Sequence, residues 1–161
     1  MLDKKSTFFE NVHTHRFLAE LLTTCVLRSP PLFLDVLRSE VDDAGIDLVL
    51  TSGAQVRYIQ LKARAESVPP KPYAISKRLL RMPGGAIVWI RYSKETLLAY
   101  DYYALIGEID QRIDDIFGPF KTVPNKKGLP REGYSLVPMR KANRPGIAVG
   151  TLAELLFPKN P

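Results

Sequence analysis

The chain has 161 residues, 45% of them hydrophobic and 25% charged, which suits a single globular domain built on one hydrophobic core. No apolar run approaches the ~20 residues a membrane helix needs, and the opening Met1-Leu2-Asp3-Lys4-Lys5 lacks the apolar core of a secretory signal. The one cysteine, Cys25, has no internal disulfide partner, so a reducing cytoplasm is the expected compartment. A net charge of +6 is compatible with a polyanionic partner and equally with a solubility role, because the lysines and arginines are spread along the chain.

In chain order, residues 8–27 are expected to form a helix, with Leu18, Leu21, Leu22 and Cys25 at i, i+3, i+4, i+7. Ser6 or Thr7 suits its cap, with Glu10 completing a capping box after Thr7. Phe8, Phe9, Val12 and Phe17 widen its apolar surface, so packing on more than one side is expected, and Ser29-Pro30-Pro31 ends it. Residues 32–41, 46–51 and 55–63 are strand candidates, and 67–71 is a proline-bearing loop. Pro72 is placed to open a helix over 73–81, which Met82-Pro83-Gly84-Gly85 stops. Residues 86–92 form a buried strand and 97–105 its partner. Residues 119–145 are expected to be irregular, a mobile loop or a substrate-facing arm, and 151–156 a short closing helix capped by Thr151. Helix, three strands, helix, two strands is an α/β order around a mixed sheet.

The segment 46–63 carries the functional argument. Gly53-Ala54 fits a two-residue type II′ turn, and that turn sets a register pairing Ser52 with Gln55, Thr51 with Val56, Leu48 with Ile59 and Asp47 with Gln60. Alternation then sends Ile46, Leu48, Leu50, Ile59 and Leu61 to one face, a core face. The other face receives Asp47, Val49, Tyr58, Gln60 and Lys62. A slip of one residue would mix the two sets. An acid, an amide and an ammonium converge where packing residues are usual. The carboxylate and the amide oxygen are hard donors suited to Mg²⁺, and an adjacent lysine can stabilise charge developing on phosphate oxygens. On spacing alone, Asp47 and Lys62 can equally be an ion pair on a solvated face, with Gln60 an exposed strand residue.

Residues 40–50, Glu40-Val41-Asp42-Asp43-Ala44-Gly45-Ile46-Asp47-Leu48-Val49-Leu50, followed by Val56-Arg57-Tyr58-Ile59-Gln60-Leu61-Lys62, resemble the core of the PD-(D/E)XK nuclease superfamily, which includes restriction endonucleases and archaeal Holliday-junction resolvases. Its pattern is Gly-x-Asp opening one strand, a short hairpin, and Glu-x-Lys on the next. A helix precedes the motif, and a helix and a buried strand follow it. The likeness extends over about residues 8–105. It implies a restriction-endonuclease-like mixed sheet flanked by helices, with Asp47 as metal-binding aspartate and Lys62 as catalytic lysine. Gln60 stands where the family usually has glutamate, a minority form that binds Mg²⁺ less strongly. The family often adds a glutamate from the first helix as a metal ligand; Glu20 is the preferred candidate and Glu10 the alternative. The implied activity is Mg²⁺- or Mn²⁺-dependent hydrolysis of nucleic acid, DNA first, by a metal-activated water, with a homodimer as one arrangement. The alternative is a nuclease-like fold that has lost catalysis and binds nucleic acid or a protein.

Other residues weigh less. Glu40 is expected to be a solvated strand charge, with an acid supporting the site residues as the alternative. His13 and His15 lack the i, i+4 spacing of a helical zinc pair, so metal binding by them is not expected. Cys25, Trp89 and the Tyr100/Tyr102/Tyr103 cluster are expected in the core. Lys77 and Arg78 are placed either to reach a phosphate or to solvate a helix.

Overall fold

A computed structural model describes residues 2–38 and 45–159. Helix α1 (Leu2–Leu27) is followed by strands β1 (Asp35–Arg38), β2 (Leu48–Ser52), β3 (Gln55–Ala65) and β4 (Pro72–Ser76). Then come α2 (Lys77–Leu80), β5 (Gly85–Tyr92), β6 (Ala99–Ile106), α3 (Ile113–Phe117), β7 (Lys121–Pro124), β8 (Pro130–Pro138), a 3₁₀ turn at Met139–Lys141, β9 (Arg144–Ile147) and α4 (Val149–Leu156). The fold is α/β: a six-stranded mixed sheet of order β1-β2-β3-β5-β6-β9 and a three-stranded sheet of order β4-β8-β7, flanked by the helices. Strands β3 and β5 are parallel, and the other pairs in the large sheet are antiparallel.

The period-four stripe His13, Phe17, Leu21, Cys25 is the buried side of α1. With Leu152, Ala153, Leu156 and Phe157 around α4 it covers one face of the large sheet, closing over Leu48, Leu50, Ile59, Leu61, Val88 and Ile90. Cys25 is fully buried, and burial raises its thiol pKa against the opposing charge of Arg28, so it is a packing residue. Phe8 and Phe9 are exposed, so α1 packs on one side and not on several. Tyr102 donates to Glu20 Oε2 at 2.6 Å and ties α1 to β6.

The opposite face is also a core. Tyr58, Ile87, Trp89, Tyr103 and Leu105 meet Ile75 of β4, Leu79 and Leu80 of α2, Ile113 of α3 and Val137 of β8. This corrects the expectation of a polar second face, which came from reading a two-stranded hairpin alone. In the whole sheet β3, β5 and β6 carry packed side chains on both faces, as the parallel β3–β5 pairing with its crossover favours. Ile46 packs with this second cluster and not with Leu48, because it precedes the ladder and alternation does not reach it.

Other elements also differ from expectation. Residues 72–76 are a strand, not the start of a helix, because Tyr73 to Ser76 pair with Val137 to Tyr134 of β8. The helix begins only after Ser76, whose hydroxyl accepts from the Arg78 N–H. Residues 119–145, expected to be irregular, hold β7, β8 and the first half of β9. The closing helix starts at Val149 with Ala148 as its cap and no side-chain cap bond, so Thr151 lies inside it. Trp89 and Tyr102 are buried as expected, whereas Tyr100 is exposed. The first strand candidate shortens to Asp35–Arg38, and Glu40, Asp42 and Asp43 lie outside the described residues. Among the described residues, no helix is long and apolar enough to cross a membrane.

Candidate active site

From Leu48 onward the hairpin has the expected register, with Ser52 opposite Gln55, Thr51 opposite Val56 and Leu48 opposite Ile59, whereas the expected Asp47–Gln60 pair is not part of the ladder, which begins at Leu48. Gly53, at φ +57°, takes the first turn position, where a positive φ is needed. Asp47 stands one residue before the ladder, anchored by its N–H on the Ile59 carbonyl at 2.9 Å. Strand β3 continues past this point, so its next N–H on that side, from Leu61, has no strand partner. The Asp47 carboxylate fills the gap, its Oδ2 accepting from Leu61 N–H at 2.6 Å. The entry into this corner needs glycine. Gly45 has φ +61°, and a Cβ there would stand 3.0 Å from both Gln60 Nε2 and Ser76 Cβ.

Asp47, Gln60 and Lys62 line one cavity of about 350 Å³ at this strand edge. Helix α1 closes it from one side with Glu10, His13 and Thr14, and β4 brings Tyr73 from the other. Gln60 is buried, and its Oε1 is enclosed with no hydrogen-bond partner among the described residues. A buried acceptor without a donor is costly, and a cation or a donor arriving in the cavity would satisfy it. Lys62 and Asp47 are half-buried at the same site.

Of the two helix glutamates, Glu10 reaches this cavity and Glu20 does not. The preference for Glu20 is corrected: ten residues along the helix, it is held by the Tyr102 hydroxyl. His15 lies off the cavity beside Arg38, 3.4 Å from its Nη1. Arg78 is exposed, and Lys77 lines a separate depression with Asp114 and Asp115. Two cavity residues escaped the sequence reading. Tyr73 was hidden by the helix expected over 73–81. His13 was weighed only as half of a zinc pair, although it continues the buried stripe of α1 at four-residue steps.

The His13 ring packs on Tyr92 at 4.0 Å between centroids, and its Nε2 is buried without a hydrogen-bond partner among the described residues. Burial, and secondarily the charge of Arg16, lowers its pKa below the ordinary value of 6.5. The unfolded chain therefore takes up this proton at higher pH than the folded one. Stability rises with pH through this range, is complete above about 6.5, and declines as acid is added below it. Urea unfolding of wild type and His13→Phe at pH 7.5 and pH 5.5 checks this. The wild type should lose more stability between the two values than the variant.

Among the described residues, no three His, Cys, Asp or Glu side chains gather closely enough to hold a metal ion by themselves. The oxygens present nevertheless fit Mg²⁺, which takes one or two carboxylates and keeps several waters. The Asp47 carboxylate and the unpartnered Gln60 Oε1 are such donors, with Glu10 at the cavity wall. No family model and no curated protein matches the chain.

Proposed function

We propose that this protein is a Mg²⁺-dependent phosphodiesterase that cuts nucleic acid, with DNA as the first substrate to test. The observation that carries the reading is the meeting of Asp47, Gln60 and Lys62 in one cavity, with the Gln60 amide oxygen buried and unpartnered. The resemblance to PD-(D/E)XK nucleases in Gly45-x-Asp47 and Gln60-x-Lys62 points the same way.

In this reading Asp47, Gln60 and Glu10 hold the ion. Held there, Mg²⁺ would supply polarisation of the phosphodiester and a lowered pKa for an attacking water. Leu61 N–H fixes one carboxylate oxygen of Asp47, which orients the group before substrate arrives. Gly45 leaves Gln60 the room to keep its amide in place. Lys62 supplies a positive charge for the phosphate oxygens as the water oxygen bonds to phosphorus. The attacking water gives up a proton to solvent, the opposite P–O bond breaks, and the leaving oxygen takes a proton from a solvent water, giving one phosphate monoester end and one hydroxyl end. Supercoiled plasmid incubated with the purified chain should be nicked in Mg²⁺ or Mn²⁺ and left intact in EDTA. Intact plasmid in both metals contradicts the proposal.

A second reading, a nuclease-like fold that binds nucleic acid without cutting it, is favoured by the amide at position 60, which carries no charge. Calorimetry separates the two, because that reading predicts salt-sensitive DNA binding with no affinity for Mg²⁺ or Mn²⁺.

A further inference from the structure

Arg64 follows Lys62 by two residues on β3, and alternation puts Gln60, Lys62 and Arg64 on the same side of the sheet. Arg64 is 9% exposed, and its Nε and Nη1 are buried with no hydrogen-bond partner among the described residues. A buried guanidinium without a carboxylate or carbonyl on its N–H groups is a site that an anion would satisfy. The neighbouring strands do not supply one. Arg64 opposes Arg91 on β5, and Arg91 opposes Asp101 on β6. Arg91 takes both carboxylate oxygens of Asp101, Nε to Oδ1 and Nη2 to Oδ2, each at 2.5 Å. The row therefore holds two guanidinium groups and one carboxylate, already engaged in a fork by the other arginine.

Side chains two residues apart on a strand lie about 6.6 Å from each other along it, a step comparable to that between successive phosphates of a polynucleotide. A guanidinium fork also matches two phosphate oxygens. We infer that Arg64 anchors the phosphate next along the strand from the one held at Asp47, Gln60 and Lys62. The inference rests on the phosphodiesterase reading and makes the substrate a strand with consecutive phosphates, not an isolated small diester.

The test is binding of a labelled DNA duplex in EDTA across a salt series, by wild type, Arg64→Met and Arg64→Lys, together with their melting temperatures. Methionine keeps much of the stem and removes the charge. Arg64→Met should bind roughly tenfold more weakly at about 0.1 M salt, with the salt slope reduced by about one. Arg64→Lys should keep the slope and bind at intermediate strength. Because the charge removed has no hydrogen-bond partner among the described residues, Arg64→Met should melt no lower than wild type, and inorganic phosphate should raise the melting temperature of wild type more than that of the variant. An unchanged slope overturns the anchor, as does a lysine variant indistinguishable from the methionine one. An Arg64→Met protein that melts far lower or fails to fold also overturns it, because the guanidinium would then be structural. Metal-dependent cutting with an unaltered slope leaves the phosphodiesterase reading standing without the anchor. A reduced slope with no cutting by wild type keeps the phosphate site and ends the hydrolytic reading.

Discussion

Replacing Lys62 by alanine is expected to slow Mg²⁺-dependent nicking of plasmid by about 10²–10³-fold, the usual loss when one preorganised charge is removed from a developing oxyanion. Lys62 sits on β3 between Leu61, whose N–H is taken by Asp47, and Ala63, which is packed against the first core cluster. Its backbone is therefore held independently of its side chain, and its half-buried ammonium borders the cavity. Truncation should lower the rate with little change in melting temperature. Asp47→Ala should lower the rate as well, but it also strands the Leu61 N–H, so some loss of stability accompanies it. Single-turnover nicking rates check both. Rates of the Lys62→Ala, Asp47→Ala double variant within threefold of wild type would remove the proposed chemistry.

Arg57→Ala should cause the largest loss of stability, about 3–5 kcal/mol, the combined cost of buried carbonyls left without a donor and of the cavity left by the side chain. Arg57 is 1% exposed on β3. Its Nε donates to the Leu156 carbonyl at 2.7 Å, its Nη1 to Gly107 at 2.6 Å and its Nη2 to Leu155 at 3.4 Å. Leu155 and Leu156 carry terminal carbonyls of α4, which have no partner within the helix, so the guanidinium caps that end and complements its negative pole. Burial pulls the Arg57 pKa down to about 10, with Glu108 opposing, so the group remains charged at neutral pH. Truncation leaves three carbonyls without their donor and a cavity where the stem lay. For a domain of this size the melting temperature should fall by roughly 6–20 °C, measured by calorimetry. Arg57→Lys should recover only part of this, because an ammonium cannot reach three diverging acceptors. A fall of less than 2 °C for alanine would show that α4 does not depend on the arginine.

The hairpin was legible because two local rules agreed: Gly53 at a turn position that needs positive φ, and apolar residues at alternate positions on both strands. Those rules were enough to bring Asp47, Gln60 and Lys62 to one place. They could not show that Gln60 and Lys62 share a face with Ile87 and Trp89, because that second core is assembled from β4, α2, α3 and β8, all remote in sequence. Nor could they reveal Arg57, which reads as an arginine at an inward-facing position until its acceptors, 50 to 99 residues away, are placed beside it. Residues 72–76 were misread because Pro72 suits a helix start and a strand start alike, and pairing with β8 decides for the strand. The choice between Glu10 and Glu20 depended on which turn of α1 crosses the end of β3. Helical periodicity gives the buried face of a helix but not where along its length the crossing falls. His13 was within reach of the sequence, since the stripe it shares with Phe17, Leu21 and Cys25 is a simple count of fours.

A crystal of the full chain soaked in Mn²⁺ tests the central claim most directly, because anomalous scattering locates the ion without any assumption about substrate. The account predicts a peak between the Asp47 carboxylate and the Gln60 amide oxygen, at distances typical of oxygen ligands and lost in Asp47→Ala crystals. A clean map at that corner in fully soaked crystals, or a peak only at a site remote from both oxygens, would contradict it.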